Sequence, residues 1–184
     1  MSGLRSARAL ASALGTAVSS LVRGGSSPSR VTLSRGDVAP SFDLLASDGR
    51  RYRLTDYIGR SAVVVAWFPK AFTTGCTAEC RSIGLTFAAL EGFDAAVFAA
   101  SCDSVETNRE FADSLGIGFP ILSDPDGTVA RAYGVLGPLG LPSRWTVYIG
   151  IDGRILDIDR SVQTGSHGAD IASALGQFGV PRRP

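Results

Sequence analysis

The chain has 184 residues, 45% of them hydrophobic and 19% charged. This composition supplies enough apolar material for one globular core, and the chain is too short for two ordinary domains. The formal net charge is +1, but residues 1–35 hold five arginines and no acidic residue, so the remainder carries −4. A mildly acidic body argues against a nucleic-acid-binding surface, and three cysteines argue against a disulfide-stapled secreted scaffold.

The first predicted element is an amphipathic helix in residues 1–23. Its apolar residues recur at steps of three and four, with arginines and serines between them: Leu4, Ala7, Ala11, Leu14, Val18 and Leu21. This pattern fits an organelle presequence, a membrane-surface helix or a helix that docks on its own or a neighbouring domain. The run GGSSPS at 24–29 is typical of a linker. We therefore divide the chain into a helix and linker, residues 1–34, and a folded domain, residues 35–184.

The folded domain alternates short apolar strands with amphipathic helices. Seven strands are predicted between turn residues, at 42–46, 52–54, 62–68, 95–100, 120–122, 145–151 and 155–158. Three helices with apolar stripes are predicted at 77–93, 104–115 and 169–178. The runs VVVAWF and AAVFAA lack polar alternation, which indicates strands covered on both faces by helices. An α/β fold with a mixed central sheet flanked by helices follows.

The densest chemical signal is PKAFTTGCTAEC at 69–80, between a buried strand and the next helix. A cysteine in the first turn of a helix meets unpaired backbone N–H groups and the positive end of the helix dipole, which favour thiolate over thiol. Cys76 is therefore a candidate nucleophile. Thr73 either offers its hydroxyl to the same cavity or caps the helix. Pro69 ends the strand, with no N–H group to leave unpaired.

Cys80 lies four residues after Cys76 and shares its helical face. Two interpretations stay open: a buried core cysteine, or a resolving thiol that condenses with an oxidised Cys76. In an intact helix such side chains are about 5–6 Å apart between Cβ atoms, against about 3.8 Å in a disulfide. A bond between them therefore requires the first helical turn to unwind. Cys102 follows a predicted strand, and we expect a core or incidental role for it.

The string P-x-x-x-T-x-x-C, present as Pro69, Thr73 and Cys76, resembles the active-site signature of peroxiredoxins. Further segments are similar to the bacterioferritin comigratory protein branch, also called peroxiredoxin Q: 36–44, 63–80, 101–127 and 143–155. The resemblance implies a thioredoxin-like fold and a thiol peroxidase. This branch usually places a nearby resolving cysteine five residues after the first, whereas the interval here is four. Proline is common in it where this chain has Thr74.

The resemblance also implies roles for individual residues. Cys76 would be the peroxidatic cysteine, and Thr73 would bond the peroxide and the thiolate. Pro69 would shield the pocket and Arg144 would complete the set, since a guanidinium near a thiol stabilises the thiolate and the charge on the departing oxygen. Cys80 would resolve the sulfenic acid, and thioredoxin or a similar dithiol would reduce the disulfide. No metal, flavin or haem is implied.

Two other functions are open at this point. Cys76 and Cys80 with the downstream His167 resemble the copper-binding assembly proteins of the Sco type, because thiolates and imidazole suit copper. Against this, His167 lies in QTGSHGAD before a predicted helix, where Ser166 is a candidate N-cap and the histidine a solvated neighbour. A protein dithiol–disulfide oxidoreductase usually carries C-x-x-C, which this chain lacks.

The peroxidase interpretation predicts hydrogen peroxide or organic hydroperoxides as substrates and a dithiol protein as partner. We expect a monomer or homodimer that binds no nucleic acid. A cytoplasmic location is expected, with an organelle or a membrane surface as the alternative that residues 1–23 would determine.

Overall fold

The computed structural model describes residues 32–183. The predicted helix at 1–23 and the linker at 24–29 lie outside this range, so the division of the chain near residue 34 and the options for that helix remain predictions. Within the described range, no helix is both long and apolar enough to cross a membrane.

A five-stranded sheet forms the centre of the domain, in the order β5-β4-β3-β6-β7. Its strands are β3 (Ala62–Trp67), β4 (Ala95–Ser101), β5 (Ile121–Ser123), β6 (Trp145–Ile149) and β7 (Ile155–Asp159). Strand β3 pairs parallel with β4 and β4 parallel with β5, whereas β6 is antiparallel to both of its neighbours. A separate antiparallel pair consists of β1 (Asp43–Leu45) and β2 (Arg51–Arg53). The predicted mixed sheet is confirmed, and all seven strands lie within two residues of their predicted ends.

Helices cover both faces of this sheet. They are α1 (Thr74–Glu91), α2 (Val105–Leu115), α3 (Thr128–Ala132) and α4 (His167–Gln177), with a 3₁₀ turn at Leu54–Asp56. Alternate residues of β3 enter two separate apolar clusters: Val64 and Ala66 pack with α1 and α4, whereas Val63 and Val65 pack on the opposite face. The absence of polar alternation in β3 is explained by this double burial.

Helix α3 and the 3₁₀ turn were missed by the sequence analysis. Both are too short to show a helical stripe, and α3 depends instead on one buried carboxylate. Asp124 accepts hydrogen bonds from the backbone N–H groups of Val129, at 3.3 Å, and Ala130, at 2.7 Å. Residues 124–127 therefore lead directly into this helix.

Helix α4 packs closely on α1 at Gly168, which has no side chain. A Cβ atom at this position would lie 2.4 Å from the carbonyl oxygen of Ser82 and 2.7 Å from Oγ1 of Thr86. The N–H of Gly168 donates instead to the Ser82 hydroxyl at 3.2 Å. This contact brings the first residue of α4, His167, against the first half of α1.

Candidate active site

The sheet topology brings three distant segments to one edge. Strand β3 leads into residues 68–73 and the start of α1, and its neighbour β4 ends at the same edge because the two strands are parallel. Strand β6 is antiparallel to β3, with Trp67 opposite Trp145, so Arg144 lies beside the end of β3. Cys76, Arg144 and Asp103 are thereby gathered around the N-terminus of α1.

Cys76 is the third residue of α1, after Thr73 as the N-cap residue in extended conformation. The first turn of this helix contains no acidic residue, so no carboxylate within that turn opposes its free N–H groups and the positive end of the dipole. Arg144 donates from Nη2 to the Cys76 Sγ at 3.4 Å. Both features place positive charge or a hydrogen-bond donor beside the sulfur.

Gly75 allows this approach of the guanidinium. A Cβ atom at position 75 would lie 3.1 Å from Nη2 of Arg144. Arg144 and Cys76 are 68 positions apart, so no local pattern indicates this contact and only the family resemblance pointed to Arg144. The side chain of Cys76 has no exposed surface, whereas that of Arg144 is 22% exposed. Arg144 thus contacts the buried sulfur while part of its side chain reaches solvent.

The loop before α1 is held in place by Asp103, to which the sequence analysis gave no role. The Ala71 N–H donates to Oδ2 of Asp103 at 2.8 Å, and Lys70 Nζ lies 3.8 Å from Oδ1. Thr73 donates its hydroxyl to the Lys70 carbonyl at 3.0 Å and makes no side-chain capping bond. Pro69 is half-buried at the start of this loop. The signal in the sequence was that Asp103 closely follows the buried strand predicted at 95–100.

Glu79 is a second residue that the sequence analysis passed over. It is buried in α1, one turn after Cys76, and its Oε2 accepts a hydrogen bond from Nη1 of Arg144. One guanidinium therefore holds the Glu79 carboxylate with one nitrogen and the Cys76 sulfur with the other. The signal was an acidic residue on a helix face that otherwise carries Cys76, Cys80 and Ile83.

The prediction that His167 is a solvated loop residue is wrong. His167 is the first residue of α4 and is fully buried. Its Nε2 lies 2.6 Å from Oγ1 of Thr146, and its Nδ1 lies 3.0 Å from Oε1 of Glu79. Ser166 is the N-cap residue by position, but its hydroxyl bonds Asp170 rather than the backbone. The polar sequence around His167 suggested solvent, whereas packing of α4 on α1 buries the ring.

The copper interpretation gains nothing from this geometry. The two ring nitrogens of His167 face Thr146 and Glu79, so neither is directed at the thiols as a free ligand. Within residues 32–183 no group of three or more His, Cys, Asp or Glu side chains is arranged to hold a metal ion.

Acid should destabilise the fold through His167. Burial lowers the pKa of this imidazole from 6.5 to about 4, while Asp159 and Asp170 partly oppose that shift. Between these two values the unfolded chain binds a proton that the folded chain does not, so stability falls as pH drops through this range. For this group alone the loss is about 2 kcal/mol between about pH 7 and about pH 5.

Urea unfolding at both pH values tests this expectation, with His167→Asn as the non-titrating control. The decrease in unfolding free energy on acidification should be smaller in His167→Asn than in the wild type. Equal decreases in the two proteins would mean that His167 titrates alike in the folded and unfolded states.

The other two thiols lie in settings that oppose ionisation. Burial, followed by the neighbouring Cys76, raises the pKa of Cys80 to about 12. Burial raises the pKa of Cys102 to about 11, with Asp124 and Asp103 contributing in the same direction. All three cysteines are unpaired. Only Cys76 combines a helix N-terminus with a cationic neighbour.

The family match and the sequence relatives of this chain point to the same protein family. The AhpC/TSA family matches residues 35–158. The peroxiredoxin Bcp of Escherichia coli strain K12 is 32% identical over 142 residues, which cover 73% of this chain and 90% of Bcp. A putative peroxiredoxin of Mycobacterium tuberculosis is 33% identical over 150 residues, covering 78% of this chain and 95% of the relative.

Solved structures agree with these sequence relatives. Peroxidoxin BcpB of Mycobacterium tuberculosis superposes with a TM-score of 0.69 at 30% identity, covering 79% of this chain and 98% of BcpB. The C47S mutant of PrxQ from Xylella fastidiosa gives a TM-score of 0.74 at 25% identity, covering 81% of this chain and 99% of the mutant. These likenesses confirm the thioredoxin-like fold and support neither the copper carrier nor the protein disulfide oxidoreductase.

Proposed function

The chain belongs to the AhpC/TSA family and is a thiol-dependent peroxidase of the peroxiredoxin type, and on this premise we propose that Cys76 is the thiol that peroxide oxidises. One observation supports this choice above the others: the Cys76 sulfur accepts a hydrogen bond from Arg144 at the N-terminus of α1. Cys80 and Cys102 have raised pKa values and no comparable cation.

The proposed reaction starts with attack of the Cys76 thiolate on one peroxide oxygen. A sulfur–oxygen bond forms as the oxygen–oxygen bond breaks, and the sulfur loses the two electrons that the peroxide gains. Cys76 becomes a sulfenic acid, and the departing oxygen takes up a proton and leaves as water or an alcohol. Arg144 stabilises the negative charge on that oxygen while it develops.

Thr73 and Pro69 shape the peroxide site in this proposal. The Thr73 hydroxyl hydrogen is engaged by the Lys70 carbonyl, which leaves the hydroxyl oxygen as an acceptor for the peroxide O–H. Pro69 has no N–H group to compete for the peroxide or the thiolate. The hydrogen bond from the Ala71 N–H to the Asp103 carboxylate holds this loop in position.

Peroxide is the substrate and an external thiol the reductant, and we propose organic hydroperoxides as substrates beside hydrogen peroxide. The bacterioferritin comigratory protein of Xanthomonas campestris has alkyl peroxide reduction activity. Its structure superposes on this chain with a TM-score of 0.68 at 25% identity. Here the Phe72 ring is 55% exposed and lies next to Thr73 in the chain. It would give an alkyl group apolar surface to contact.

Cys80 is the proposed resolving thiol and thioredoxin, or a similar dithiol protein, the proposed reductant. In the folded helix Cys80 is buried with a raised pKa, so resolution requires the first turns of α1 to unwind. Exposure returns the Cys80 thiol toward its ordinary pKa. Its thiolate then attacks the Cys76 sulfenic sulfur, hydroxide leaves as water, and a disulfide remains for the reductant.

Several broader predictions remain proposals. We place the whole reaction in the domain that starts at residue 35, in a monomer or homodimer. The cytoplasmic location also remains a proposal, because it depends on residues 1–23, which lie outside the described part of the chain.

Arg144→Met is expected to slow oxidation of Cys76 by peroxide about a hundredfold or more, because one donor to a developing anion commonly contributes that much. Stopped-flow measurement with hydrogen peroxide on the reduced protein gives the rate constant. Arg160→Met is the matched control, since Arg160 stacks on the Trp145 ring without reaching the thiol. Arg144→Lys, which keeps a cation beside the buried Glu79, guards against a folding defect in Arg144→Met.

Both Arg144 variants should be slow and Arg160→Met should match the wild type. If Arg144→Met and Arg144→Lys both react at the wild-type rate, the guanidinium has no role in the oxidation of Cys76.

A further inference from the structure

We propose that His167 is a positioning residue for the peroxidase reaction: from the core side of the site it orients the Glu79 carboxylate, which in turn orients Arg144 on the Cys76 sulfur. This inference rests on the proposed role of Arg144 and Cys76. It adds His167 of helix α4 and Thr146 of strand β6 to the site already formed by α1, its preceding loop, Asp103 and Arg144.

The proposal starts from a continuous row of polar groups. The Thr146 hydroxyl lies 2.6 Å from His167 Nε2, and His167 Nδ1 lies 3.0 Å from Glu79 Oε1. Glu79 Oε2 accepts from Nη1 of Arg144, whose Nη2 donates to Cys76. All of these side chains except that of Arg144 are buried. The row therefore runs from the core to the reactive sulfur, and Arg144, its partly exposed member, joins Glu79 to Cys76.

The charge state of the imidazole follows from its surroundings. Burial keeps His167 neutral at physiological pH, so one ring nitrogen carries a hydrogen and the other a lone pair. A lone pair on Nδ1 would face a carboxylate oxygen 3.0 Å away, which is repulsive. The favoured tautomer carries the hydrogen on Nδ1, and the Thr146 hydroxyl donates to Nε2. His167 thereby presents an N–H to Glu79.

Nδ1 of His167 and Oε1 of Glu79 are buried polar atoms that face each other. Their separation is short enough for a hydrogen bond but they are not aligned for one, and neither atom has another partner among the described residues. Buried polar atoms in folded proteins are almost always paired, because an unpaired one costs about 1–3 kcal/mol. A small rotation of the ring or carboxylate satisfies both atoms, and it fixes the carboxylate plane.

The orientation of that plane determines where Arg144 points. A guanidinium is rigid and planar, so fixing Nη1 on Glu79 also fixes the direction in which Nη2 reaches Cys76. A carboxylate without its partner on Oε1 could turn, and Nη2 would then sample positions away from the sulfur. Small errors of placement at a reacting group lower rates strongly. We therefore expect His167 to affect the rate of Cys76 oxidation although it does not touch the peroxide.

Two substitutions separate this role from simple core packing. His167→Asn places an amide nitrogen near the position of Nδ1 and keeps a donor for Glu79. His167→Gln reaches toward the position of Nε2, so it keeps a partner for Thr146 and loses the donor to Glu79. Both remove the aromatic ring and leave a buried amide, and both should lower the unfolding temperature by similar amounts.

The test measures the oxidation of the reduced full-length chain by hydrogen peroxide, together with the rate at which iodoacetamide alkylates Cys76 near neutral pH. We expect His167→Gln to slow both rates about tenfold and His167→Asn to stay within about threefold of the wild type. Thermal unfolding of both variants controls for stability. A split in rate between two equally destabilised proteins is a result that a merely structural histidine would not produce.

Equal rates in the two variants would overturn the proposal, whether both matched the wild type or both were slowed alike. Arg144→Met is measured alongside, so that failure of the positioning role of His167 can be distinguished from failure of the proposed role of Arg144. If Arg144→Met is slow and His167→Gln matches the wild type, only the positioning role is wrong. If Arg144→Met also matches the wild type, the proposed function of Arg144 fails with it.

Discussion

Cys76→Ser is expected to lose peroxide reduction by about a thousandfold or more in a steady-state assay with thioredoxin as reductant. A serine hydroxyl at the same position keeps its proton near neutral pH, even at a helix N-terminus and beside Arg144. It is also a far weaker nucleophile than a thiolate. The substitution removes one sulfur atom from a buried site and should leave the fold intact, which circular dichroism and thermal unfolding can verify.

Cys102→Ser is the matched control for this experiment. Cys102 is half-buried beside Asp103 and Asp124, and its thiol is held protonated by that setting. We expect its loss to leave peroxide consumption at the wild-type level. If Cys76→Ser is active and Cys102→Ser is inactive, Cys102 rather than Cys76 is the thiol that peroxide oxidises.

Cys80→Ser is expected to consume one equivalent of peroxide at the wild-type rate and then stop, with turnover by thioredoxin reduced about a hundredfold or more. The first step needs only Cys76 and its surroundings, whereas regeneration through a disulfide needs a second sulfur on the same chain. Stopped-flow oxidation and the coupled steady-state assay measure these two steps separately. Because Cys80 is fully buried in the apolar cluster below α1, Cys80→Ala should accompany it as the variant that buries no hydroxyl.

Normal turnover in both Cys80 variants would contradict the resolving role. The external thiol would then reduce the Cys76 sulfenic acid directly, or Cys102 would resolve it. Cys80→Ser combined with Cys102→Ser distinguishes these routes, since only the direct route survives the loss of both thiols.

The sequence predicted the elements whose signals are local. The unbroken apolar runs of β3 and β4 identified buried strands, and the position of Cys76 at the start of a helix identified the reactive thiol candidate. Helix α1 begins at Thr74 rather than at residue 77, because Thr73 rather than a later residue takes the extended N-cap conformation. Local patterns therefore placed the thiol and the helix to within one turn.

The partners of Cys76 depend on contacts that no local pattern records. Arg144 reaches the sulfur because β6 pairs antiparallel with β3, and only the family resemblance pointed to it. His167 is buried because Gly168 lets α4 approach the backbone of α1, although its neighbours in sequence are polar. Glu79 acquires its role only once Arg144 and His167 are placed beside it. Tertiary packing, rather than composition, determines these three assignments.

The central claim is that peroxide oxidises the sulfur of Cys76. Reduced protein is treated with one equivalent of hydrogen peroxide in the presence of dimedone, which traps sulfenic acids, and is digested and analysed by mass spectrometry. In Cys80→Ser, where the intermediate cannot be resolved, we predict one dimedone adduct on the peptide that carries Cys76. An adduct on Cys102, or no adduct while peroxide is consumed, would contradict the claim.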